Sequence, residues 1–284
     1  TACVKQRCAL LYESEMAIQD VTGPEEVSAF VDQLQATGTY TFSHADAQAA
    51  LPTSEIAVDN ALRRLKKRGR IVAPRRGFYV IVPTEYRTAG SPPPSWFIDD
   101  LMGFLGQPYY VGLLSAAAIH GASHQQPMTF QVVTDRPTRE GAAGRARITF
   151  HMSRRVAETP ATRVQTETGT MLVSTPESTA FDLVRYSEAC GGWNNVAMVL
   201  LELAESVEPE ALSAVAHQRK TPELQRLGYL LDKAGQPRLA DPLLRVLGSR
   251  RYRPVALAAD ALRGSADAVS PWRVIPNLDV EIDR

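Results

Sequence analysis

Residues 43–82 read SHADAQAALPTSEIAVDNALRRLKKRGRIVAPRRGFYVIV, a pattern that predicts a short helix, a turn, a basic helix and a tight hairpin. We expect the basic helix to begin at Pro52 and Thr53, with the Thr53 hydroxyl capping a free backbone N–H, and to end near Arg68 with Gly69 as its left-handed stop. Helical periodicity gives it one apolar side that should pack on a small core: Val58, Ala61, Leu62 and Leu65.

The opposite side of the basic helix is predicted to face outward. It carries Ile56, Asn60, Arg63, Arg64 and Lys67, and the positive charge continues at Lys66, Arg68 and Arg70. In a DNA major groove, Asn pairs with adenine and Arg with guanine, and each good pair discriminates by about 1 to 3 kcal/mol. An exposed Ile can contact a thymine methyl group. The same residues also fit a solvated cationic surface helix.

The segment after the basic helix favours the DNA-binding interpretation. Two apolar runs, 71–72 and 78–82, flank the turn residues 74–77 and predict a hairpin with Arg75 and Arg76 at its tip. Helix, turn, basic helix and hairpin together are typical of a winged helix-turn-helix, whose wing lies along the phosphate backbone of DNA. Although the chain has 31 basic and 31 acidic residues, residues 60–87 contain nine basic residues against Glu85 alone. Such a local cluster is typical of a polyanion-binding surface.

Length and composition favour two domains of a globular, cytoplasmic protein. The chain has 284 residues, of which 44% are hydrophobic and 22% charged, and no apolar run approaches the roughly 20 residues of a membrane span. Cys3, Cys8 and Cys190 are three in number without CxxC spacing, which predicts neither a disulfide framework nor a cysteine zinc site. No secretory leader is expected, and residues before about 21 are left out of the fold prediction.

The predicted fold class is α+β. We expect a winged helix-turn-helix domain over residues 22–89, a proline-rich linker over 90–95 and a second domain over 96–284. The first domain should contain a helix from Pro24 to near Gly38, a short extended segment at 40–42 and a helix capped by Ser43 that ends at Ala50. In the second domain we expect helices at 96–105 and 112–120, a mixed sheet over 129–174, a helical bundle over 176–250 and a terminal strand at 272–282.

The candidate catalytic groups in this sequence give little support for an enzyme. His120 and His124 have the spacing of two metal ligands on one helix, but Gly121 interrupts the helix and no third ligand is implied. Ser115, His120 and Asp135 can be written as a hydrolytic triad, yet no GxSxG motif frames the serine. Residues 141–145, GAAGR, lack the GK[ST] ending of a phosphate-binding loop and favour a flexible hairpin. We therefore predict a protein that is not an enzyme and that needs no metal or organic cofactor.

A second basic cluster is predicted to flank two strands of the second domain. It consists of Arg136, Arg139, Arg145, Arg147, His151, Arg154 and Arg155. These residues can hold a phosphate group or RNA. A half-solvated antiparallel sheet also places such residues at every second position, and this interpretation is favoured.

Four segments together resemble the AbiEi antitoxins, the antitoxin and regulator halves of bacterial abortive-infection toxin-antitoxin systems. The segments are RRGFYVIVP at 75–83, YYVGLLSAAAIHG at 109–121, VSTPESTAFDLV at 173–184 and GYLLDKAG at 228–235. The resemblance runs over most of the chain after about residue 22. The early leader does not match, and Ala180 and Phe181 stand where the family commonly has aliphatic residues.

This resemblance implies a transcriptional autorepressor that binds inverted repeats in the double-stranded DNA of its own promoter. It places DNA contacts on Asn60, Arg63, Arg64, Lys67, Arg75 and Arg76. It also implies a C-terminal domain that counteracts a nucleotidyltransferase-like toxin without forming a stable complex, as a part of phage defence. The alternative hypothesis is a winged-helix regulator whose second domain binds RNA or a small effector through its arginine-rich strands.

Overall fold

A computed structural model describes residues 24–122, 127–259 and 267–281 of the chain. The described residues form an α+β fold, as the sequence predicts. The α-helices are α1 Pro24–Ala36, α2 His44–Ala50, α3 Glu55–Lys67, α4 Ile98–Leu105, α5 Leu113–Ile119, α6 Pro176–Arg185, α7 Gly192–Leu203, α8 Pro209–Gln218, α9 Thr221–Lys233 and α10 Pro237–Gly248. Short 3-10 helices lie at Thr84–Tyr86, Pro94–Trp96, Val156–Glu158 and Ser187–Cys190. The strands are β1 Thr41–Ser43, β2 Ile71–Arg75, β3 Phe78–Ile81, β4 Tyr109–Val111, β5 Phe130–Thr134, β6 Gly141–Ala143, β7 Ala146–Met152, β8 Ala161–Thr166, β9 Gly169–Ser174, β10 Val255–Ala256 and β11 Val274–Ile275.

The N-terminal elements follow the predicted order: α1, β1, α2, α3, β2 and β3. Strands β1 to β3 form an antiparallel sheet with the order β1-β3-β2. A separate small core lies between this sheet and the three helices, and its buried members include Val31, Phe42 and Ile71. The Ser43 hydroxyl and the Asp46 carboxylate cap α2 reciprocally, as the sequence predicts for Ser43.

Helix α3 differs from its prediction at the start and agrees with it at the end. Its N-cap is Ser54, whose Oγ accepts a hydrogen bond from the Ala57 N–H at 3.3 Å, so the expected start at Pro52 with Thr53 as the cap is wrong. Gly69 has a φ of 67°, in the left-handed region that favours glycine. The predicted apolar side is buried: Val58, Ala61, Leu62 and Leu65 are at most 4% exposed.

The turn of the hairpin after α3 is shorter than predicted. Arg75 is the last residue of β2 and pairs with Phe78, which leaves Arg76 and Gly77 as the turn. The Gly77 carbonyl accepts a hydrogen bond from the His44 N–H at 2.8 Å, so the turn lies against the start of α2. Arg75 therefore belongs to the strand, and the expectation that it lies at the hairpin tip is wrong.

A second sheet has six strands in the order β6-β7-β5-β4-β9-β8, with β4 antiparallel to β5 and parallel to β9. The short strands β4 and β6 were not predicted, since three residues are too few to show a period of two. Residues 141–143, predicted as a flexible hairpin, pair with β7. Of the terminal strand predicted at 272–282, Val274–Ile275 is a strand, parallel to Val255–Ala256, and residue 282 lies outside the described residues.

The C-terminal helices α6 to α10 pack around a large apolar core, which includes Trp193, Leu227 and Leu243. One glycine of this core has a steric role. A Cβ on Gly228 of α9 would lie 2.1 Å from Cζ3 of Trp272, so glycine lets the indole ring pack directly on the helix backbone. The first glycine of the segment GYLLDKAG, Gly228, is thereby explained by packing.

The chain forms two compact units that interleave along the sequence. Among described residues, one unit contains 24–108, 139–148 and 165–171, and the other contains the remaining ranges. The predicted linker at 90–95 falls inside the first unit, where Ser91 is 4% exposed and the Trp96 ring lies 5.0 Å from that of Tyr40 and 5.2 Å from that of Tyr86. The proline-rich composition predicts a spacer at 90–95, because composition does not show that Ser91 is buried or that the adjoining Trp96 contacts Tyr40 and Tyr86.

Candidate nucleic-acid interface

Helix α3 presents its polar side to solvent. The buried apolar side fixes the rotation of the helix about its axis, so the residues on the opposite side must face outward. Ile56 is 74% exposed. The other exposed members of this side and of the helix end are Asn60, Arg63, Arg64, Lys66, Lys67 and Arg68. The predicted outward face thus exists as a continuous polar surface with one exposed aliphatic side chain.

The charge on α3 is distributed along its axis. Glu55 and Asp59 lie in its first half, and the Asp59 carboxylate is 2.9 Å from Nε2 of His44. The last turn carries Arg64, Lys66 and Lys67, where cations interact favourably with the negative end of the helix dipole. Nη1 of Arg63 lies 3.4 Å from the Asn60 Oδ1, which brings the two side chains with the clearest base-reading chemistry together.

Two of the predicted DNA-contacting cations already hold protein partners. Arg70 forms an ion pair with Asp32 of α1, and its side chain is 23% exposed. Nη1 of Arg75 donates to the Glu140 carbonyl at 2.8 Å, and Nη2 of Arg75 donates to the Arg139 carbonyl. Burial, and then the neighbouring positive charge of Arg139, lower the pKa of Arg75 below its usual value. Arg76 in the turn is exposed.

The second basic cluster predicted from the sequence is divided between the two compact units. Arg139, Arg145 and Arg147 belong to the first unit, together with the N-terminal helices, whereas Arg136, His151, Arg154 and Arg155 belong to the second. The His151 ring packs beside the Tyr186 ring at 5.3 Å, and the Tyr186 hydroxyl donates to the Met152 carbonyl at 2.8 Å. The sequence placed all seven residues in one domain because they are close along the chain.

A buried polar cluster in the second unit was not predicted as a whole. Asp182 of α6 and Arg219, between α8 and α9, have side chains 1% and 5% exposed, and Oδ1 of Asp182 lies 3.5 Å from Nη1 of Arg219. Burial raises the pKa of Asp182 to about 6, although Arg219 and the hydroxyl of Tyr110 act in the opposite direction. Burial also raises the pKa of Tyr110.

The backbone beside this cluster is tightly packed. A Cβ on Gly112 would lie 3.0 Å from Val133 Cγ2 and 3.4 Å from Oδ2 of Asp182. The next residue, Leu113, has a φ of 53°, a backbone conformation that residues other than glycine rarely adopt. Nearby, the Glu177 carboxylate accepts a hydrogen bond from the Glu208 N–H at 3.1 Å. The segments at 109–121 and 173–184 thus meet around one buried ion pair, which gives Asp182 a structural role.

The residues considered for catalysis make structural hydrogen bonds. Nε2 of His120 donates to the Ser174 carbonyl at 2.7 Å, and Ser115 Oγ accepts from the Gln131 N–H at 2.9 Å. The Asp135 carboxylate lies 3.2 Å from Nε of Arg136. His124 lies outside the described residues, and within the described ranges no group of three or more His, Cys, Asp and Glu side chains is placed to hold a metal ion.

The chain is similar to a known protein family and to a solved structure. Residues 110–233 match the family model described as AbiEi antitoxin C-terminal domain. The crystal structure of RV2827C protein from Mycobacterium tuberculosis superimposes with a TM-score of 0.65 at 17% sequence identity, over 90% of this chain and 92% of that chain, and so shares the fold. A search of curated proteins found no match. Within the described ranges, none of the helices combines the length and the apolar character that crossing a bilayer requires.

Proposed function

We propose that the protein, whose residues 110–233 match the AbiEi antitoxin C-terminal domain family, is the antitoxin of a bacterial toxin-antitoxin system and also represses its own promoter. The N-terminal elements would act as a winged helix-turn-helix, with α3 in the major groove. The toxin that it counteracts would be a nucleotidyltransferase-like protein, as the family resemblance implies.

The observation that carries the DNA-binding part of this proposal is the outward face of α3. Asn and Arg side chains on an exposed helix face, held by a buried apolar face, supply both base readout and phosphate attraction. The element order and the strand order β1-β3-β2 support a winged helix. Binding to inverted repeats requires two copies of the chain on one operator.

Duplex binding tests this proposal most directly. The purified protein is titrated against a labelled duplex from its own upstream region, with excess random duplex as competitor. We expect tight binding that survives the competitor and that is lost when Arg63 and Arg64 are both replaced by Ala. The matched control removes two exposed arginines of the second unit, Arg251 and Arg253, and should bind as the unchanged protein does.

Other outcomes would redirect the proposal. Weak binding that is equal on operator and random duplex would contradict sequence-specific repression. The antitoxin part is measured separately, by co-expression with a candidate nucleotidyltransferase-like toxin, in cells that this toxin alone arrests. Failure of the unchanged protein to restore growth would contradict the antitoxin part of the proposal. The alternative, an RNA-binding second domain, would be favoured if the protein binds RNA and loses that binding when Arg154 and Arg155 are replaced.

A further inference from the structure

The β6–β7 hairpin, residues 139–148, is attached to the N-terminal helix-and-sheet elements although it lies more than 60 residues further along the chain. The first attachment is the side chain of Arg75, at the end of β2. Its guanidinium donates to the carbonyl oxygens of both Arg139 and Glu140, where the hairpin begins. Because these bonds use donors at both terminal nitrogens, Arg75 is committed to holding the hairpin beside β2.

The second attachment lies at the hairpin turn. The Arg145 N–H donates to the Ala89 carbonyl at 2.9 Å. Gly144 has a φ of 56°, and a Cβ at this position would lie 2.4 Å from the Gly90 carbonyl carbon and 2.5 Å from the Ala89 oxygen. Such a close backbone approach is open to glycine alone. The hairpin is therefore fixed at its start and at its turn to the same compact unit as α3.

Three of the exposed residues of this hairpin are arginines. Strand register places Gly141 opposite Ile148 and Ala142 opposite Arg147. Because side chains alternate between the faces of a strand, the buried Ile148 and the exposed Arg147 point to opposite sides. Arg139 and Arg145 are also exposed, and Glu140 is the sole acid within residues 139–148.

The surroundings of Arg75 indicate an anionic partner. The Arg75 guanidinium donates to the Arg139 carbonyl, and burial, followed by the positive charge of Arg139, lowers the pKa of Arg75, so two like charges are held near each other. A phosphate group would relieve this repulsion. The hairpin between β2 and β3 has little reach of its own, since its turn is two residues long and lies against α2.

We propose that the β6–β7 hairpin is a second wing, whose Arg139, Arg145 and Arg147 bind the phosphate backbone of the duplex together with Arg76. Arg75 is a positioning residue that holds this second wing in place. The inference rests on the proposed DNA binding by α3 and adds a sequence-independent contact surface to it. Under this proposal, three arginines of the second basic cluster bind DNA rather than RNA.

The test measures affinity for operator and random duplexes as a function of salt concentration. Replacing Arg139, Arg145 and Arg147 by Ala should flatten the log-log salt dependence by about 2 to 3, since each lost phosphate contact contributes about 0.9. The ratio of operator to random affinity should stay the same. Three exposed arginines of the second unit, Arg245, Arg251 and Arg253, supply the matched control. Single Arg→Gln replacements, each expected to change the slope by about 0.9, serve if the triple variant does not fold.

A second variant leaves every charge in place. Gly144→Ala should displace the second wing, because its Cβ has no room against Ala89 and Gly90, and should flatten the salt dependence. Gly103→Ala in α4 is the control, since a Cβ there meets no described atom within 4 Å. An unchanged slope in the triple variant, alongside lost binding in the Arg63/Arg64 variant, would overturn the second wing alone. Absence of operator binding by the unchanged protein would overturn the proposed function and this inference with it.

Discussion

The outward face of α3 and the Asp182–Arg219 pair use the same kinds of side chain under opposite conditions. On α3 the cations are exposed, and the helix keeps its place through apolar residues on the other side. In the second unit the two charges are almost fully buried and lie 3.5 Å apart. Exposed charges cost little to hold and are available to a partner, whereas buried charges lose their hydration and depend on each other.

Exposed and buried charges should therefore have different roles in the two units. Removing a charge from α3 should change binding and leave the fold intact. Removing a charge from the buried pair should change the fold, whatever the protein binds. Both expectations can be tested with variants, and those of the buried pair should change the free energy of unfolding more than those of α3.

The largest effect is expected for Arg219→Ala. Loss of the guanidinium leaves the buried Asp182 carboxylate without its countercharge, and the free energy of unfolding should fall by about 3 to 5 kcal/mol. Loss of the contact between Arg219 and the Phe181 ring adds to the effect. Urea unfolding at pH 7, followed by circular dichroism, measures the change.

Arg154→Ala is the control for this experiment, because Arg154 is an exposed arginine of the same unit. It should change the free energy of unfolding by about 0.5 kcal/mol or less. If Arg219→Ala were as mild as Arg154→Ala, the buried pair would contribute nothing to the fold, and the contrast with α3 would fail.

The next effect is the pH dependence that Asp182 introduces. Its pKa is about 6 in the folded protein and near 3.8 in the unfolded chain, so the folded state holds the proton more tightly between these values. The resulting stability is complete below about pH 4 and is lost as the pH rises through about 6, by an amount on the order of 2 to 3 kcal/mol. The charged groups that act on this carboxyl are Arg219, Arg185 and Glu223.

Asp182→Asn isolates this contribution because the amide has the size of the protonated carboxyl and does not titrate. The free energy of unfolding of the unchanged protein, minus that of the variant, should decline between pH 4 and pH 6.5. A difference that rises over this range would show that the folded state lowers the pKa of Asp182, and that the countercharge outweighs burial.

These two regions also differ in how far the sequence predicts them. The α3 face follows from periodicity within 13 residues, and the buried and exposed sides agree with the prediction. Capping by Ser43 and the glycine stop at Gly69 are equally local. The error at the start of α3 arose because Thr53 and Ser54 are both good caps, and the sequence does not distinguish them.

What the sequence could not predict depends on contacts between distant residues. The local sequence predicts that Arg75 lies at the hairpin tip. In the structure its hydrogen-bond acceptors are the carbonyl groups of residues 139 and 140, more than 60 positions away. Arg219 belongs to no motif, and its pairing with Asp182 required the packing of α6 against the segment between α8 and α9. A local pattern predicts which face is exposed, whereas a buried partner must be found in three dimensions.

The smallest effect expected is on the stability of the Arg63→Ala/Arg64→Ala variant. Removing these cations gives up part of the favourable interaction with the C-terminal end of α3. It also relieves the repulsion of Arg63 with Lys66 and Lys67, which lie three and four residues after it, and Ala is a slightly better helix former than Arg. The opposing contributions should leave the free energy of unfolding within about 0.5 kcal/mol of that of the unchanged protein. Thermal unfolding of the sample used for duplex binding tests this directly: lost binding with unchanged unfolding places these arginines in the interface, whereas lost binding with a large drop in stability would assign them to the fold.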